Sequence, residues 1–243
     1  MSADRHAALA DVEAVLLDVG GVFYLPDHER VQNALARFDV AIAPEALDRA
    51  HFAGVAALAP DVAVGSHEDG HTVWHAYNRA YARVCGVPDD LLDDAVPVLL
   101  DEFGRGDVWT RQIAGASDAL AELAARGLLL AVVSNADGTV ERDLRADGIC
   151  QVGSGPGTPV GAILDSAVVG VAKPDPAIFR LALDRLGVAP ERAIHVGDTP
   201  AADVAGARAA GIRPVLVDPY DLHLEADCRR VASLAGVVEL LAT

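Results

Sequence analysis

The sequence predicts an α/β protein, a parallel sheet between layers of helices, with a helical block inserted after the first strand. Three observations carry that expectation. Aliphatic runs of strand length recur at 14–19, 128–135, 192–198 and 213–218. They are apolar throughout rather than alternating, as strands buried on both faces are. After Gly106, helical patterns separate these runs, and strand–helix alternation implies right-handed crossovers and parallel pairing. Between about 27 and 104 only helical patterns occur. A chain of 243 residues can bury a large core beside such an insertion. The expected division is 1–24 and 105–243 for the sheet-bearing core and 25–104 for the helical block.

Taken in order, a loose lead-in precedes the strand AVLLDV (14–19). HERVQNALARF, PEALDRAHFAGVAAL, HEDGHTVWHAYNRAYARV and PDDLLDDAVPVLLDEF follow as helices, separated by breakers such as Pro44, Pro60, Gly65 and Gly86. Pro97 is expected to kink or split the fourth, because it removes a helix hydrogen bond and crowds the preceding turn. ASDALAELAARG is a helix stopped at Gly127, LLLAVVSN a strand, and DGTVERDLRADG a helix. QVGSGPGTPVG reads as a loop, and AILDS and AVVGV as short extended pieces. PDPAIFRLALDRLG is a helix, RAIHVGD a strand, AADVAGARAAG a helix, RPVLVD a last strand and LAGVVELLA a closing helix.

A net charge of −17 argues against nucleic acid or an anionic membrane surface as partner, since both need clustered Lys and Arg. A small phosphorylated ligand needs only a local positive site. Cys85, Cys150 and Cys228 are odd in number and far apart, which suggests neither a disulfide framework nor a zinc knuckle. The N-terminal residues lack a signal-peptide pattern, and no apolar run approaches the roughly 20 residues needed to span a bilayer. A soluble, cytoplasmic protein is expected.

Ligands of open α/β sheets bind beyond the carboxyl ends of the strands, where strand order reverses. Predicted strands here end on Asp18, on Ser134 and Asn135, and on Asp198 with Asp203 five residues later. Lys173 precedes the PDPAIF helix and is the only lysine, against eighteen arginines. A carboxylate can attack phosphorus and form an acyl phosphate, dividing one hard displacement into two easier ones. Several acids around a phosphate repel one another, and Mg²⁺ relieves that repulsion through oxygen ligands. Asp203 could also simply begin a helix, and Ser134 and Asn135 could cap one.

In order and spacing, LLDVGGV, VVSNADG, GVAKPDPAIF and HVGDTPAADVAGARAAG resemble the four motifs of the haloacid dehalogenase-like hydrolase superfamily. The resemblance covers 14–22 and 107–217, and the helical block fits the small cap of one subgroup. It implies a Rossmann-like core and a Mg²⁺-dependent phosphohydrolase acting on a small phosphorylated metabolite. Asp18 would be the nucleophile, with Ser134 and Lys173 holding phosphate and Asn135, Gly20 and Gly21 around the substrate. Asp18, Asp198 and the Gly20 carbonyl would hold the metal, with Asp203 in or beside its shell.

One position departs from the pattern. Most phosphatases of this superfamily carry a second aspartate where this chain has Gly20. That acid protonates the leaving oxygen and then activates water, a contribution of ~10²–10⁴ in rate. Three outcomes fit: a substitute group such as Asp27, His28 or Glu29, a substrate with an easy leaving group, or binding without turnover. For Asp27–Glu29 an ordinary helix start is favoured. The dehalogenase branch also lacks the second acid, but it replaces the acid equivalent to Asp198, which is intact here. A phosphonatase needs a cap lysine, and 25–104 contains none.

His67, His71 and His75 recur at helical spacing and offer a weak metal-site or proton-donor reading. Trp74, Tyr77 and Tyr81 read as a packed stripe, Arg79 and Arg83 as solvated, and His195 as a core residue. GSGPGTP (153–159) lacks the GK[ST] of a nucleotide loop and reads as a plain loop at the cleft rim.

Overall fold

The computed structural model describes residues 9, 11–58 and 70–242. Pro60, Gly65 and His67 lie outside these residues.

The chain opens with β1 (Ala14–Leu17), a short strand that is wholly buried. β2 (Tyr24–Pro26) leads into four helices: α1 (His28–Leu35), α2 (Pro44–Ala56), α3 (Gly70–Val84) and α4 (Leu92–Phe103). β3 (Trp109–Gln112) returns antiparallel to β2, so one two-stranded ribbon carries the chain out to the helices and back. The alternating half then runs α5 (Ala116–Ala125), β4 (Leu129–Ser134), α6 (Val140–Ala146), β5 (Cys150–Val152) and β6 (Thr158–Val160). β7 (Ala162–Asp165), α7 (Ser166–Val169), α8 (Pro176–Leu186), β8 (Ala193–Gly197) and α9 (Ala205–Ala209) follow. β9 (Arg213–Val217), β10 (Arg229–Val231) and α10 (Leu234–Leu240) complete the chain.

Six strands form one parallel sheet in the order β10-β9-β8-β1-β4-β7. β1 is central, and strand order reverses across it, which creates the crevice in which such sheets bind ligands. Successive β1 side chains enter opposite layers. Val15 and Leu17 pack with Leu120, Leu123 and Val237 from α5 and α10, while Ala14 and Leu16 pack with Ile178, Phe179 and Ala182 of α8. The helices between β2 and β3 form a third apolar cluster, with Val31, Leu47, Tyr77, Tyr81 and Leu99 at its centre.

The predicted α/β class and helical insertion therefore stand; besides the ribbon of β2 and β3, which the sequence pattern does not announce, there are four differences. α4 does not split at Pro97. The carbonyl that loses its partner belongs to Asp93, on the exposed face that Pro97 shares, where water can replace the bond. AVVGV is not extended: Asp165 accepts a hydrogen bond from the Ala167 amide and starts a single helical turn, closed by Gly170 in the left-handed region. The QVGSGPGTPVG loop is flanked by β5 and β6, a small parallel pair. RPVLVD is not the last strand, because β10 adds an edge beyond it. The sequence of β10, RRV, is too polar and too short to announce a strand.

Gly54 marks a close approach of α2 to α3, since a Cβ there would lie 2.6 Å from the Tyr77 ring. Helix propensity alone would make Gly54→Ala stabilising by ~1 kcal/mol. Overpacking against a buried ring costs ~1–3 kcal/mol and should win. Urea unfolding is therefore expected to show Gly54→Ala less stable than the parent protein; a higher midpoint would contradict this packing.

Candidate active site

β1, β4 and β8 lie side by side, and their carboxyl ends bring the predicted residues together. Leu17 is level with Val196 of β8 and Val132 of β4, so Asp18 emerges beside Asp198, just past Gly197, and beside Ser134. Asp18, Gly20, Ser134, Asn135, Lys173 and Asp198 all line one cavity of about 840 Å³ between the sheet and the helical block. Asp203 and Gly21 lie behind its wall. Gly21 has φ +67, and a Cβ there would stand 2.3 Å from Asp198 Oδ2. Glycine lets the turn after β1 close against the carboxylate.

Lys173 organises the acids. Its Nζ lies 2.8 Å from Asp18 Oδ1 and 2.7 Å from Asp203 Oδ1. Asn135 fixes the lysine's backbone from both sides, donating from Nδ2 to the Lys173 carbonyl (2.9 Å) and accepting from its amide (2.7 Å). Asp203 accepts from His195 Nε2 as well (2.8 Å) and, through Oδ2, from the Thr199 amide (2.9 Å). Asp203 thus ties down the start of a helix, as one expectation had it, and also braces the lysine. His195 is packed edge-on against Phe179, as a core residue would be, but it also holds Asp203 in place.

These contacts divide the acids electrostatically. Burial works to raise the Asp203 carboxyl, but Lys173 and His195 outweigh it and hold the group well below the usual carboxylate range. For Asp18 burial wins over Lys173, with Asp203 and Asp198 adding repulsion, and the carboxyl is pushed up to about 7. Lys173 is raised: burial opposes its charge, but Asp18 and Asp203 more than offset that. Two carboxylates share one ammonium.

Oxygens of Asp18, Asp198 and Asp203 fall within 4.8 Å of one another. An all-oxygen, carboxylate-rich set suits a hard divalent cation. The fit is good on charge as well, because a cation beside Asp18 would favour its ionised form.

The space above Gly20 has its own occupants. A Cβ at Gly20 would meet the Trp109 ring at 3.6 Å, an ordinary contact. His51, from α2, lies edge-on to Trp109 with ring centroids 5.2 Å apart. Its Nε2 donates to Asp198 Oδ2 (2.6 Å), and in the neutral ring Nδ1 accepts from the Tyr77 hydroxyl (2.9 Å). Thr199 Oγ1 donates to the other Asp198 oxygen (3.0 Å). Sequence reasoning missed His51. Its one signal is an imidazole on the apolar face of PEALDRAHFAGVAAL, which ordinary core histidines share.

The substitutes considered for the missing acid are elsewhere. Asp27 caps α1 through the Arg30 amide, His28 pairs with Asp48 and Arg111, and Glu29 is exposed. None of them lines the cavity. Arg79 and Arg83 pair with Asp93 and Asp89 at the surface. Trp74 and Tyr77 do pack into the helical cluster, and they line the cavity too. Residues 153–159 do not reach the cavity, so the cleft-rim placement of that loop fails.

A family model described as haloacid dehalogenase-like hydrolase matches residues 12–211. The chain belongs to this family. Within it, the chain is 44% identical over 114 residues to a phosphoserine phosphatase of Thermus thermophilus, covering 45% of this chain and 43% of that protein. It is 39% identical over 166 residues to a phosphoglycolate phosphatase of Rhodospirillum rubrum, covering 65% and 64%. The chain thus spans less than two thirds of either relative. The crystal structure of a 2-haloacid dehalogenase from Pseudomonas syringae shares the hydrolase fold, with a TM-score of 0.53, 24% identity and coverage of 95% of this chain and 98% of that one.

Removing one partner of a buried ion pair strands the other charge. Lys173→Met should therefore lower stability by ~3–5 kcal/mol in urea unfolding without divalent cations, and Asp203→Asn added to it should recover part of the loss. Unfolding of Lys173→Met at the parental midpoint would show that the lysine does not hold the acids.

Proposed function

We propose that the protein is a Mg²⁺-dependent phosphomonoesterase that forms an aspartyl phosphate on Asp18, with residues 25–104 acting as a cap over the site. The observation that carries this reading is the buried acid cluster at the strand ends, with one fixed ammonium beside it. Asp18, Asp198 and the Gly20 carbonyl would hold the metal. Asp203, whose oxygens already accept from Lys173, His195 and Thr199, braces that shell. Bound Mg²⁺ would neutralise the carboxylates and draw charge from the phosphoryl oxygens.

The remaining chemistry belongs to side chains. An Asp18 oxygen bonds to phosphorus while the ester P–O bond breaks and the leaving oxygen departs with its electron pair. Water then adds to phosphorus, releasing inorganic phosphate and restoring Asp18. Lys173 and Ser134 hold the transferring group. Asn135 acts by fixing Lys173, and Gly21 by admitting Asp198. The two named phosphatases among the relatives support the reaction class. A cytoplasmic setting is supported by three free, buried cysteines and by the lack, among the described residues, of any helix long and apolar enough to cross a membrane.

A dehalogenase reading is weaker, because the Asp198 carboxylate is retained. The site also offers a 2-haloacid carboxylate no arginine: Lys173 is the only Lys or Arg among the described residues lining the cavity.

Asp18→Asn should reduce Mg²⁺-dependent phosphate release, followed across a panel of monophosphates, to the uncatalysed level. Activity retained by that variant would remove Asp18 from the mechanism. His51 hydrogen-bonds a proposed metal ligand, and losing such a partner typically weakens metal binding ~10–100-fold. Calorimetric titration of His51→Ala with Mg²⁺ should show that loss; parental affinity would make His51 a bystander.

A further inference from the structure

The cavity walls carry information about the substrate that the catalytic residues do not. Beyond the acid cluster its surface is aromatic and aliphatic: Val55, Leu58, Trp74, Tyr77, Phe103 and Trp109. Trp74–Tyr77 and Tyr77–Phe103 pack edge to face with centroids 5.3 and 5.9 Å apart, and Phe103 lies tilted against Trp109 at 6.4 Å. Such a wall suits a flat ring with little charge.

Charge points the same way. Besides the acid cluster and Lys173, which two carboxylates already hold, the charged groups at the cavity among the described residues are Asp137 and Asp143. Residues 59–73 add no lysine or arginine to the sequence. A neighbouring depression contains Arg105 and Arg142, but Arg105 pairs with Asp101 and Glu102, and Arg142 with Asp143. A substrate with a carboxylate or a second phosphate would bury that charge against aromatic rings, with acids as its nearest charged neighbours.

One polar atom in this wall lacks a partner. Asn78 is fully buried, and its Nδ2 donates to the Trp74 carbonyl, but Oδ1 accepts from no group among the described residues. An unsatisfied buried acceptor calls for a donor from whatever fills the cavity.

Gly20 adds a chemical condition. Without an acid at that position the leaving oxygen must depart unprotonated. A phenol has a pKa of about 10, as in tyrosine, whereas an alkoxide resembles hydroxide, whose parent water stands at ~15.7. An aryl ester therefore needs the missing acid least.

We propose that the substrates are aryl phosphomonoesters whose ring is otherwise uncharged and carries a hydrogen-bond donor that reaches Asn78. This deepens the phosphomonoesterase reading and rests on it. Asp18 takes the phosphoryl group as the bond from phosphorus to the phenolic oxygen breaks. The phenolate takes a proton from solvent, and water releases phosphate from Asp18.

Trp74 and Trp109 are the only tryptophans in the chain, and both line the cavity, so indole fluorescence reports occupancy without turnover. Asp18→Asn protein with Mg²⁺ is titrated with 4-(hydroxymethyl)phenyl phosphate, 4-methylphenyl phosphate, 4-carboxyphenyl phosphate and phosphoglycolate. The hydroxymethyl compound should bind at least tenfold tighter than either carboxylate. Its advantage over the methyl compound, about three- to tenfold for one hydrogen bond, should vanish when Asn78→Leu is added. Equal or tighter binding of the carboxylates, or no saturable quenching by any aryl phosphate, overturns the proposal. The phosphomonoesterase reading fails separately, if the aryl phosphates bind but the protein with Asp18 intact releases no phosphate from them.

Discussion

A single ammonium holds together the acids at the strand ends of this protein. Lys173 Nζ bridges Asp18 and Asp203 at 2.8 and 2.7 Å, in a place that water hardly reaches. Two like charges at the 4.8 Å limit of this cluster repel by about 3–4 kcal/mol at an effective dielectric of ~20. The lysine offsets part of that; burial, with the remaining repulsion behind it, raises the Asp18 carboxyl, while Lys173 and His195 outweigh burial and lower that of Asp203. The acid with the strongest donors is fixed in its charge state. The acid at the cavity is left responsive to whatever cation or phosphate arrives.

The fold exists at this site to make such crowding possible. Parallel strands deliver Asp18, Ser134 and Asp198 to one level, and two glycines admit the carboxylates. Gly21 lets the turn after β1 lie against Asp198. A Cβ at Gly197 would stand 2.2 Å from Asp203 Cγ, so the last residue of β8 must also be bare. His51 then ties the helical layer to the sheet through Asp198, so a residue far from any motif reaches the acid cluster. Trp109, at the return of the ribbon, fills the place beside Gly20. The lost acid and the aromatic wall are thus neighbouring features of one surface.

How much of this was legible beforehand depended on the range of the interaction. Buried strands ending in Asp18, Ser134 and Asp198 could be read from continuous aliphatic runs, because burial on both faces leaves a local mark. Lys173 stood out as the only lysine in the chain. The helical block was visible as a change of period. His51 was not legible, since its role arises from a contact 147 residues away in sequence. Nor was the clamp of Asn135 on Lys173, where the side chain holds a backbone rather than a ligand. β10 escaped because an edge strand of three polar residues is made by its neighbour, and the turn at Ser166–Val169 because one aspartate cap overrode a β-branched pair.

In the proposed reaction Asp18 itself attacks phosphorus, and acid quenching during turnover tests that directly. With Mg²⁺ and phenyl phosphate present, peptide mass spectrometry of the quenched protein should find one phosphoryl group, carried on the peptide that contains Asp18. Steady phosphate release with an unmodified Asp18 peptide at every quench time, or with the group on another residue, would contradict it.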